Sequence, residues 1–215
     1  MNIRLGIYEI FSRIVPGGLY IFVIGQLFVI LGVVVPDWQV LRELSLVWSL
    51  GIIAVAYVFG EMFDRFALAW FRVFCKKGYH SIALANFKQW YVDKWVIDFK
   101  DTEWHILLAY IRTKNIALTD EIERHNAISI MLRNVSLGLL FLAINFFVGY
   151  FLFRETYYVI AGVISVVFAI FIVLDAVKFH QWFFNSIYDT ILAYRLDLEE
   201  RIKPVKKNRR KTDAK

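Results

Sequence analysis

The chain alternates between long apolar runs and charged breaks. Leu19 to Val35, Leu46 to Phe63, Val135 to Phe153 and Tyr157 to Val177 are nearly free of charge. At about 1.5 Å rise per residue, runs of this length match a hydrocarbon core roughly 30 Å thick. Within lipid a helix satisfies all its own backbone hydrogen bonds. The pattern therefore predicts an all-α membrane protein with four transmembrane helices in two hairpins and helical cytoplasmic extensions.

Between the runs the periodicity changes. Ile3, Ile7, Ile10, Phe11 and Ile14 fall at helical spacing with Arg4, Glu9 and Arg13 between them, which suits a helix lying in the headgroup region. Pro16-Gly17-Gly18 is expected to break that helix before the first span. Pro36-Asp37 ends the first span, and the second helix is expected to run on to Lys76-Lys77-Gly78. Residues 79–118 are mixed, with Ile106, Leu107, Tyr110 and Ile111 expected on one face of a short helix. Asp120 and Glu123 read as a capping box opening the next helix. Arg154-Glu155-Thr156 reads as a tight hairpin turn, and the last helix is expected to continue to Lys203, where Pro204 stops it. The resulting units are an interfacial helix (1–18), a first hairpin (19–66), a cytoplasmic helical region (67–132), a second hairpin (133–177), and a cytoplasmic helix with a basic tail (178–215).

Composition agrees with this pattern. Hydrophobic residues make up 59% of the 215 residues, above the roughly 45–50% of soluble domains. The single cysteine, Cys75, excludes an intrachain disulfide. Net charge is +6, unevenly spread. The connections 36–45 and 154–156 carry one arginine each (Arg42 and Arg154), whereas 67–132 carries nine Lys/Arg and 178–215 carries ten. The positive-inside rule then predicts that both ends and the central region face the cytoplasm.

Chemistry is sparse. The four histidines lack metal-helix spacing, and no Walker A, GxGxxG, GxSxG or HExxH pattern occurs, so no cofactor or metal is expected. Glu61, Asp64 and Arg65 close the second span. Glu61 and Arg65 are spaced for an ion pair on one helix face, or for a charged gate at the mouth of an oligomer. Gln26 and Asn145 are the amides well inside the spans, suited to bonding between helices or to lining a pore. Asp175 and Lys178 are expected to pair. Arg124 and Arg133 flank the entry to the third span, where they would meet lipid phosphate or an anionic ligand. Lys206, Lys207, Arg209, Arg210 and Lys211 form a polybasic run suited to the anionic leaflet or an acidic partner. No aromatics lie within that run, so direct sequence-specific nucleic-acid binding is not expected. Small residues recur near heptad spacing in every span: Gly18, Gly25 and Gly32; Ser49, Ala56 and Gly60; Gly138, Asn145 and Gly149; Gly162, Ser165, Ala169 and Ala176. They suit close packing within the bundle or against a neighbouring subunit.

Ile14-Val15-Pro16-Gly17-Gly18 opening the first span, Gly60-Glu61 closing the second, and Arg133-Asn134 opening the third give an order of features that resembles small bacterial four-span proteins of anti-phage operons. Within that group the chain is similar to the membrane subunit of the Kiwa defence system. The resemblance implies a homo-oligomeric component of the bacterial inner membrane that senses phage attack and holds a cytoplasmic DNA-binding effector. It transfers no functional residue. The group also includes nucleotide-gated effectors that damage the membrane, but those carry a ligand domain, for which the central loop is short. The leading expectation is a non-enzymatic sensor or scaffold in contact with membrane lipids and a cytoplasmic protein partner. The alternative is an oligomeric ion channel or membrane-disrupting effector gated by a ligand or partner.

Overall fold

A computed structural model describes residues 3–33, 46–75, 82–86, 95–97, 103–193 and 202–204. Its main elements are α1 (Ile3–Ile30), α2 (Leu46–Phe74), α3 (Trp104–Lys114), α4 (Ile116–Phe153) and α5 (Thr156–Ala193). A helical turn lies at 82–86. Strands β1 (Trp95–Ile97) and β2 (Ile202–Pro204) pair antiparallel, Val96 opposite Lys203. Three helical segments, Ile10–Ile30, Ile116–Phe153 and Thr156–Ile191, are long and apolar enough to cross a membrane.

The expected break at Pro16-Gly17-Gly18 is absent, because α1 runs through Pro16 to Ile30. Proline removes one rung of the helical ladder, a loss that neighbouring helices offset in apolar bundles. Pro16 is fully buried. Gly17 serves packing instead of turning: a Cβ there would fall on the Ala56 carbonyl of α2. Gly60 is its counterpart, and a Cβ there would fall on the Arg13 carbonyl. The two helices thus cross backbone against backbone, antiparallel.

The α4–α5 hairpin matches its prediction closely. Arg154 takes the left-handed conformation (φ 60°) and caps α4, its N–H bonding the Tyr150 carbonyl, and α5 starts at Thr156. Two polar bonds register the pair. The Ser129 hydroxyl donates to the Ala176 carbonyl (2.8 Å) and the Ser136 hydroxyl to that of Ala169 (2.7 Å). Both donors and acceptors are seven residues apart, two turns of each helix.

The start of α4 departs from expectation. Asn115, not Asp120, is the N-cap, its side chain accepting from the Leu118 N–H at 3.1 Å. Asn115 is also the C-cap of α3, its N–H bonding the Ile111 carbonyl. One extended residue therefore terminates one helix and opens the next, and Asp120 lies inside α4. On α3 the buried face is Leu107 and Ile111, while Ile106 points outward. These two join Ala83, Leu84, Ile122, Phe183, Phe184, Ile187, Tyr188 and Ile191 in a core built from the turn at 82–86, α3, the start of α4 and the end of α5. The last helix is described to Ala193, and Ile202–Pro204 forms β2 rather than continuing it. Lys76-Lys77-Gly78, Pro36-Asp37 and the tail from 205 onward lie outside the described residues.

Candidate functional site: a charged cluster joining three helices

The tight crossing of α1 over α2 brings Arg13 against the acidic residues of α2. Arg13 Nε lies 3.0 Å from Glu61 Oε2, and its Nη1 lies 2.7 Å from Asp64 Oδ1. From α4, Arg133 Nη2 donates to both Asp64 oxygens (2.8 and 2.9 Å) and Asn134 Nδ2 donates to Oδ1 (2.8 Å). Tyr20 of α1 closes the group, its hydroxyl donating to the Asn134 carbonyl at 2.8 Å. The Tyr20 ring leans on Phe63, with centroids 4.5 Å apart.

Asp64 is the hub. Its side chain is 18% exposed, with Arg13 at 15% and Arg133 at 13%, so most of each charge is withdrawn from solvent. Two arginines face two carboxylates, which leaves the cluster neutral. Removing charge from water is tolerable only when it is paired and its lone pairs are filled. The tight glycine contact is what lets the short Asp64 reach cations from two helices at once. The cluster holds no nucleophile–base pair; it is suited to holding α1, α2 and α4 in one arrangement.

The amide and arginine candidates separate. Glu61 pairs with Arg13 instead of Arg65, because Arg65 points outward from α2 and is exposed. Arg133 turns into the bundle instead of out to lipid phosphate, drawn by Asp64. Arg124 makes a long contact with Glu121 (3.7 Å). Asn145 bonds across helices, donating to the Val23 carbonyl at 2.7 Å. It also lines an apolar cavity of about 250 Å³ with Tyr20, Val23, Leu27, Phe63 and Phe141. Gln26 Oε1 is buried and has no hydrogen-bond partner among the described residues. Lys178 pairs with Asp175 at 2.7 Å, as its spacing predicts. Lys206, Lys207, Arg209, Arg210 and Lys211 lie outside the described residues.

The sequence reading did not single out Arg13 or Tyr20, nor Trp70, whose indole N–H donates to Ser136 Oγ at 2.9 Å. Arg13 looked like the polar edge of an interfacial helix. Its position one turn before Gly17, with Gly60-Glu61 as partner, is the signal that marks it. Burial pushes the Cys75 thiol up from its ordinary range, so little of it is thiolate near neutrality. Among the described residues no group of three His, Cys, Asp or Glu is placed to hold a metal. No known protein family, curated protein or solved structure matches the chain.

Proposed function

We propose that this chain is a four-span protein of the bacterial inner membrane, with both ends cytoplasmic, that works without catalysis as a scaffold or sensor. In this reading α2 is the additional span beside the three long apolar helices, and the Lys/Arg distribution sets the orientation. The observation carrying the proposal is the asymmetry between the two ends of the α4–α5 hairpin. One end is the two-residue turn Arg154-Glu155, while the other spreads into a packed body that recruits α3. That body and the basic tail are the surface available to a soluble partner. By the resemblance to the Kiwa membrane subunit, that partner is a DNA-binding effector, the assembly is homo-oligomeric, and the stimulus is phage attack on the envelope. The charged cluster would hold the bundle in its resting arrangement.

Affinity purification of the full chain in mild detergent from native cells, before and after phage challenge, tests this. A stoichiometric soluble protein that is lost when the α3 surface is substituted (Ile106→Asp with Arg112→Glu) is expected. Recovery of the chain alone, under both conditions, overturns the docking role.

A further inference from the structure

We infer that the outward face of α2 lies against the cytoplasmic leaflet as far down as Val73, with Arg72 at anionic phospholipid headgroups and Arg65, about 10 Å above it along the helix, extending toward them. The charged cluster is then inside the bilayer, not beneath it. This rests on the membrane reading above and deepens it, since the pattern of the sequence ends the second span at Phe63.

The argument starts from the helix faces. At about 100° per residue, Trp48, Val55, Val58, Met62, Phe66, Ala69 and Val73 fall on one side of α2. All are exposed: Trp48 is 69% exposed, Met62 and Phe66 63% each, and Val73 73%. The opposite side, at Ala56, Gly60, Ala67 and Phe71, is the buried one. The outward stripe therefore passes this level with no polar residue in it: Asp64 turns inward to Arg13 and Arg133, and the half-exposed Glu61 lies at the stripe's edge, paired with Arg13. From Trp48 to Val73 it is about 37 Å long, more than the roughly 30 Å of a hydrocarbon core. A soluble extension would not keep such a stripe bare, whereas lipid covers it without cost.

Two other helices put the lower boundary at the same level. Phe71 packs in one cluster with Val173 and Ala176 of α5, so Val73 is level with the next turn of that helix. There the outward face of α5 changes from exposed Phe171 and Leu174 to the exposed pair Asp175–Lys178. On α1 the apolar stretch begins at Ile10, on the cytoplasmic side of Arg13. Arg65 and Arg72 are exposed and seven residues apart, so they border the same edge of the stripe. Arginines in that position extend their guanidinium groups toward phosphate while their stems stay in apolar surroundings. A cluster at this depth must be neutral, and Arg13, Arg133, Glu61 and Asp64 supply two charges of each sign, with Glu61 the one whose side chain is more than half exposed.

Nitroxide accessibility in the full chain tests the inference. With Cys75→Ala, single labels are placed at Val55→Cys, Phe66→Cys, Val73→Cys and Lys178→Cys in nanodiscs containing phosphatidylglycerol. Met62→Cys reports the same face should Phe66→Cys fail to fold. Oxygen collisions should dominate at 55 and 66, fall to an intermediate level at 73, and give way to water-soluble nickel chelate at 178. Nickel-rich signals at 66 and 73, with 55 still oxygen-rich, overturn the inference and leave the membrane reading standing. A nickel-rich signal at 55 overturns the membrane reading of α2 itself. Exclusion of both reagents at 66 means protein covers the stripe, and also overturns it. Arg65→Gln with Arg72→Gln, or phosphatidylcholine in place of phosphatidylglycerol, should each raise nickel access at 73. No change in either removes the headgroup contact.

Discussion

The two helix pairs of this bundle are held by different means. The α4–α5 pair is joined by a two-residue turn and registered by Ser129 and Ser136, whose hydroxyls bond carbonyls of the facing helix two turns apart. Small residues (Gly162, Ser165, Ala169 and Ala176) line its seam, all buried. The α1–α2 pair has instead one close crossing, at Gly17 and Gly60, and one ionic hub at Asp64. In α2 between Trp48 and Val58 only Ala56 is buried, although Phe59 beyond it is half-buried. Restraint spread over many contacts resists local loss. Restraint concentrated at one crossing and one charge group is a place where a bundle can open. The N-terminal pair is therefore the one that a single substitution should loosen most.

The variant with the largest expected effect is Asp64→Ala. It leaves the buried Arg133 without a carboxylate and Arg13 with Glu61 alone, which should cost about 3 kcal/mol, the scale of breaking one side of a buried ion pair. Unfolding of the purified protein in detergent, followed by circular dichroism, measures it. The paired variant Asp64→Leu with Arg133→Met removes one charge of each sign and leaves Arg13 with Glu61. It should recover much of that loss; no recovery would show that Asp64 matters for something other than charge balance. Next comes Gly60→Val, which drives a side chain into the Arg13 backbone and should cost about 2 kcal/mol by overpacking. Protease or label access to α1 is the sharper readout here, because α1 should loosen while the α4–α5 pair stays intact.

On the other side of the comparison, Ser136→Ala should cost only about 1 kcal/mol, in the range measured for hydrogen bonds between membrane helices. Ser129→Ala should behave alike, and the two losses should roughly add, as separate sites along one seam do. Lys178→Ala is the smallest: its exposed pair with Asp175 is worth at most a few tenths of a kcal/mol. If Ser129→Ala with Ser136→Ala destabilised more than Asp64→Ala, the contrast between the pairs would be reversed.

Some of this was legible beforehand. The α4–α5 turn was readable because two charged residues interrupt two apolar runs, and no other local structure fits so short a gap. Asn145 was readable as a bond between helices because a lone amide in lipid needs a partner. The cluster was only half readable. Glu61, Asp64 and Arg133 were evident as charges at span ends, but spacing along one helix suggested Glu61 with Arg65. The actual partner, Arg13, comes from a different helix. Asn115 was hidden for a related reason: a capping pattern also fits Asp120, and only the requirement to end α3 at the same residue decides between them.

What the sequence determined by itself is the set of long apolar helices, the two-residue hairpin turn and the uneven charge. These depend on composition and on residues close in the chain. The tertiary structure decided the direction each charge faces and the use of Pro16-Gly17-Gly18. A glycine is equally suited to a turn and to a close crossing, and the two differ only in whether another backbone lies against it. Ala56 and Gly60 of α2 supply that backbone, and with it the site at which Asp64 gathers charge from three helices.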